Sequence, residues 1–105
     1  MRRIIAQFVK YFDRLFRLKY FEPAPGIWFE PTGAGSYRYH SGDYSANIEG
    51  ELLVGAIDIV IYAYSLSSWM PPHEQEPLTD QKRREIVADL CKVLEHYNRK
   101  YDIQW

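Results

Sequence analysis

One cysteine stands in the 105 residues, so no internal disulfide can form, which fits a reducing compartment. That residue, Cys91, sits inside a helical apolar pattern, the setting of a packed thiol rather than a nucleophile. No apolar run approaches the roughly 18–20 residues that cross a bilayer. The opening stretch MRRIIAQFVKYFDRLFRLKYF has the look of a signal peptide, but Lys10, Asp13, Arg14 and Arg17 interrupt it before an apolar core can form. The expectation is a protein that keeps residue 1 and works in the cytoplasm.

Catalytic and metal-binding signatures are missing too. His40, His73 and His96 show neither HxH nor HExxH spacing, and one cysteine cannot build a zinc site. Gly33-Ala34-Gly35 is too short for a phosphate loop and lies between strands rather than before a helix. No GxSxG elbow occurs. No cofactor is expected. The middle of the chain also lacks base: residues 22–80 hold nine acids and only Arg38, a charge of −8, against +5 over residues 1–21 and +2 over 81–105. An acid-rich segment of this kind disfavours nucleic acid and attracts basic protein partners.

Aromatic rings are abundant, with nine Tyr, five Phe and three Trp. A chain this short makes one domain, residues 1–105, and needs large side chains to bury enough surface. Ile4, Ile5, Phe8, Phe12, Leu15 and Phe16 recur at helical spacing and predict an amphipathic helix over 3–19, ended by Pro23 and Pro25. The period then falls to two. Strands are predicted at Ile27-Trp28-Phe29, at 36–40, from Tyr44 onward, and through 57–64, with Gly50 and Gly55 bracketing a break or bulge. In the fourth strand Ile57, Ile59, Ile61 and Ala63 face inward and Asp58, Val60, Tyr62 and Tyr64 outward. A proline-rich loop, SLSSWMPPHEQEPL, follows. Thr79 caps a helix over 80–98 that Asn98 ends, and Tyr101, Ile103 and Trp105 alternate as a closing strand. The predicted fold is α+β, in the order helix, four strands, helix, strand: an antiparallel sheet of four to five strands packed against two helices.

Three readings of function arise from the residues. Tyr37, Tyr39, Asp43, Glu49, Asp58, Tyr62 and Tyr64, with Glu74 and Glu76 in the loop, form a candidate acidic, tyrosine-rich binding surface. His40 and Asp43 flank a hairpin turn and would make a general base if hydrogen-bonded, but an ordinary exposed turn is the preferred account of them. The basic, Phe-rich helix 3–19 suits a membrane surface or scaffold, against the simpler use of covering the sheet. Trp69 is either a core cap or an interface anchor.

The second half carries a resemblance. A strand ending in IYAYSL, then SSWMPPHEQEPLT, a helix with KRREIVADLCKVLE and a closing YDIQW resemble small bacterial immunity proteins. Such proteins are encoded beside polymorphic toxins, contact-dependent inhibition toxins among them. The likeness covers residues 48–105 and is carried by Trp69, Pro72, Thr79, Lys82 and Ile86. It implies a non-catalytic, cytoplasmic inhibitor of a cognate toxin domain, one with a basic cleft such as a nuclease, and no role for nucleic acid or membrane as partner.

Overall fold

The computed structural model describes residues 20–105. The helix expected over 3–19, and with it the membrane-surface reading, lies outside the described residues. Five strands make one sheet in the order β1-β2-β3-β4-β5: β1 (Ile27–Pro31), β2 (Tyr37–Ser41), β3 (Tyr44–Leu52), β4 (Ile59–Tyr62) and β5 (Tyr101–Gln104). A 3-10 turn at Ala63–Ser65 follows β4, and one helix, α1 (Asp80–His96), precedes β5.

The first four strands are the expected meander. Two residues, Gly42 and Asp43, turn β2 into β3 so that Ser41 pairs with Tyr44, and Gly42 takes the positive φ that such a turn asks for. The sheet is nevertheless mixed, not antiparallel, because β5 pairs parallel to β4, with Ile59 opposite Tyr101 and Tyr62 opposite Gln104. The cause is the connection. α1 carries the chain back along the sheet, so the next strand enters from the end where β4 began, as in any crossover unit.

Alternation along β1–β3 divides the sheet, although Trp28, stacked on His40 on the outer face, is buried too. Phe29, Tyr39, Ala46 and Ile48 point to one face and are all but fully buried, while Glu30, Arg38 and Asn47 share the other. β4 departs from the expectation. Ile59, Val60 and Ile61 are all buried, whereas Ile57 lies before the strand and is exposed. β4 is thus buried on both faces, and a strand buried on both faces reads as a continuous apolar run. β3 also runs unbroken through Gly50, where a break was expected. That residue stays glycine because a Cβ would lie 2.4 Å from the Gly35 carbonyl oxygen and 2.6 Å from that of Val60.

α1 covers the inner face with Ile86, Val87, Leu90, Val93 and Leu94, each such burial contributing about 1.5–3 kcal/mol. The Thr79 hydroxyl accepts the Lys82 N–H at 3.1 Å, the N-cap anticipated from sequence. At the other end Asn98 adopts φ 57°, its N–H donates to Glu95 O, and Arg99 N–H donates to Leu94 O. This is a Schellman stop with asparagine in the usual glycine position. Trp69 is 7% exposed and completes the core beside Tyr39 and Tyr44, which decides for the cap over the anchor. Cys91 is half-buried, and burial pushes its thiol pKa up, so the group is poorly nucleophilic.

Candidate partner-binding surface

Tyr39, expected to contact a partner, belongs to the core. It is 1% exposed, packs edge-on to Phe29, and lies under the Lys82 side chain. Its hydroxyl drew it to the surface in the sequence reading. In the fold that oxygen is buried without a hydrogen-bond partner among the described residues. Tyr37 shares its face and is half-buried at the lower end of the sheet, the end where α1 finishes. Asp58 is not simply solvated. It is half-buried, and its carboxylate accepts the Lys100 N–H at 2.9 Å, tying the start of β4 to the start of β5.

The alternative reading, a catalytic pair of His40 and Asp43, has no contact behind it. The His40 ring sits on the outer face, stacked 4.1 Å from Trp28, with Nε2 2.9 Å from Glu30 Oε1. Arg38 reaches the same Glu30 oxygen at 3.8 Å and donates to Asn47 at 2.9 Å. Asp43 stands in the turn, beyond the strand, and its carboxylate meets a different histidine.

That histidine is His73, in the proline-rich loop. Its Nε2 lies 3.1 Å from Asp43 Oδ2, and its Nδ1 is in short contact with Glu76. Glu76 also accepts the Tyr44 hydroxyl at 2.7 Å, and the Tyr44 ring stacks 3.7 Å from the imidazole. Backbone bonds seat the loop: Met70 N–H to Ser45 O, then His73 to Met70 and Glu76 to His73. Burial opposes a charge on the imidazole, but the hydrogen bonds it donates to both carboxylates outweigh it and leave the His73 pKa above its ordinary value. The bond to His73 holds the Asp43 carboxyl below its usual range, and those to Tyr44 and His73 do so for Glu76. The hydroxyl of Tyr44 is shifted up by the same Glu76 bond. Two of the nine expected contacts, Asp43 and Glu76, are thus occupied in pinning the loop to the β2–β3 turn. Glu74, beside them, is exposed and has no ion pair among the described residues.

Away from Glu30, the outer face carries acids that have no ion pair among the described residues. Glu49 sits opposite Tyr62 and Gln104, and Glu51 opposite Val60 and Asp102, so two cross-strand rows place three carboxylates on one side of β3, β4 and β5. Glu49, Glu51 and Asp102 are exposed and have no basic partner among the described residues. Partial burial, then the Glu51 charge, raises the Tyr62 pKa. Tyr64 continues the aromatic stripe, 62% exposed, its ring 5.5 Å from that of Tyr62. Glu51 and Asp102 are not among the contacts expected from sequence, although their alternation with Leu52, Tyr101 and Ile103 already places them on the strands. Three acids of α1 are paired locally: Asp80 with Arg83 and Arg84, Glu85 with Lys82, and Asp89 with Lys92. Among the described residues no group of three or more His, Cys, Asp or Glu side chains could hold a metal ion.

A comparison with known families adds to this geometry. The family model described as Immunity protein 74 matches residues 32–104, which takes in β2 through β5 and the whole of α1. The chain belongs to the Immunity protein 74 family. The resemblance found over 48–105 is therefore correct in kind and reaches further toward the N-terminus, through the GAGSYRYHSGDY segment. No curated protein and no solved structure matches the chain. Membership of an immunity family carries a role in neutralising a toxin. No helix among the described residues of this immunity protein is long and apolar enough to cross a membrane.

Proposed function

We propose that this immunity protein is a stoichiometric, non-catalytic inhibitor whose outer sheet face covers a basic cleft of its cognate toxin domain. The observation that carries the reading is the trio Glu49, Glu51 and Asp102, exposed and without a basic partner among the described residues. Three like charges on one face, two on β3 and one on β5 across β4, repel one another, and a positively charged partner relieves that repulsion while steering the encounter. Tyr62 and Tyr64 supply rigid amphipathic contact area beside them. A cleft built to hold phosphate is the complementary shape, so the toxin is proposed to be a nuclease, met in the cytoplasm after delivery by a contact-dependent system.

Of the residues named from sequence, the proposal keeps Glu49, Tyr62, Tyr64 and Glu74, adds Glu51 and Asp102, and sets Tyr39 and Asp58 aside. Tyr37 lies on the opposite face. Asp43 and Glu76 act as positioning residues for the loop.

The test is titration calorimetry against the toxin domain encoded beside the gene. Glu49→Lys with Glu51→Lys is expected to weaken the complex at least about tenfold, and added salt to slow association of the wild type. Equal affinities for wild type and the doubly reversed protein remove this face from the interface.

A further inference from the structure

The lower end of the molecule holds a cleft that the outer face does not reach. Its volume is about 550 Å³, within the range of about 300–1,000 Å³ typical of small-molecule sites. Its lining includes Tyr20, Phe29, Pro31, Tyr37, Leu94 and Tyr97, of which Phe29 and Leu94 are buried. Arg99 stands at the rim, placed there by the Schellman stop that ends α1. Its guanidinium has no ion pair among the described residues, although Asp58 lines the same cleft with its carboxylate turned to the Lys100 N–H. Burial raises the Tyr37 pKa while the Arg99 charge lowers it, so the cation lies near enough to be felt at the cleft wall.

We propose that this cleft binds a small aromatic carboxylate, its ring between Tyr37 and Tyr97 over Phe29 and its carboxylate on Arg99. Flat aromatic walls suit a planar ring, which stacks or meets them edge-on. An unpaired guanidinium suits a carboxylate, which it grips through two parallel N–H donors. The Tyr37 and Tyr97 hydroxyls provide further donors around the rim. The site stands on the inner-face side of the sheet and does not depend on how the outer face is used.

The experiment is an amide chemical-shift titration of the full chain with three probes: indole-3-acetate, its neutral amide, and a tetrapeptide ending in tryptophan. Indole-3-acetate is expected to bind saturably with a Kd of about 1 mM or below, a modest affinity for a ligand of its size. Shifts should centre on Tyr37, Tyr97 and Arg99. The amide should bind about tenfold more weakly, the usual worth of a charge-assisted pair. In Arg99→Leu the acid should fall to the level of the amide, and in Tyr97→Ala both should weaken, with the spectrum otherwise retained. Acid and amide binding equally well to the wild type, or shifts centred away from these residues, overturn the proposal. So does a peptide at least tenfold tighter than the small acid, which makes the cleft a docking point for a protein terminus.

Discussion

The two ends of the sheet make opposite use of a hairpin. At the upper end the β2–β3 turn is tight, and the proline-rich loop is folded onto it. Trp69 enters the core, Met70 bonds to Ser45, and His73 is held between Asp43 and Glu76. At the lower end the β3–β4 connection is loose and apolar: Leu52, Leu53 and Ile57 are exposed, and Val54 is fully so. The cleft opens at that same end. Where polar and apolar groups satisfy one another, little drives association. Where apolar surface is left to water its removal is favourable, and a charge without an ion pair gains from a partner of opposite sign. The free carboxylates of the outer face belong with the second kind.

The contrast can be broken most forcefully at Trp69. Trp69→Ala removes the ring that joins the upper loop to the core and is expected to cost about 3–5 kcal/mol of unfolding free energy in chemical denaturation. A loss under about 1 kcal/mol would mean that the loop merely rests on the sheet. Charge reversal at Glu49 and Glu51 comes next, at about 1.4 kcal/mol or more of binding, the tenfold loss expected above. It should leave the denaturation midpoint nearly unchanged, because both side chains are exposed, neither has an ion pair among the described residues, and Glu51 gives up only a surface hydrogen bond with the Tyr62 hydroxyl. Tyr39→Phe deletes a buried hydroxyl that has no partner among the described residues, so thermal stability should hold or rise by up to about 1 kcal/mol. A clear destabilisation would reveal a partner for that oxygen.

Upper-loop attachment should also depend on pH. The raised His73 pKa gives stabilisation present below the ordinary histidine value and lost as pH rises through the shifted one. The lowered Asp43 and Glu76 values give stabilisation present above the ordinary carboxylate range and lost as pH falls through theirs. Attachment should therefore be firmest between about pH 5 and 6.5, inside the ordinary carboxylate and histidine values. Hydrogen exchange at the Met70 amide reads this directly, and His73→Ala should flatten the profile. The smallest effect is foreseen at the lower hairpin. Val54→Asp should change stability by no more than about 0.5 kcal/mol, since its side chain is already in water.

Much of this was legible in the sequence wherever a local rule governed. The hairpin at Gly42, the Thr79 cap and the Asn98 stop each follow from the chemistry of one or two residues, and the helix from its apolar stripe. Pairings over distance were not legible. Nothing near Asp43 announces His73 thirty positions on, and His40 looked like its partner only because it stood closest in the chain. Alternation put Tyr37 and Tyr39 on one side of β2 but could not say which side α1 would cover, and the hydroxyls argued for the wrong one. The parallel pairing of β5 could have been foreseen: a strand reached through a helix that returns along the sheet enters from the starting end.

That pairing bears on how the chain is made. Ile59, Val60 and Ile61 are sheltered on one side by β3 and on the other by β5, and β5 leaves the ribosome only after the loop and helix between them. Until then three consecutive aliphatic residues stand on an open strand edge, the arrangement most prone to pairing with another molecule. A nascent or truncated chain ending before Tyr101 is thus expected to aggregate, and full solubility to come only with Tyr101–Gln104.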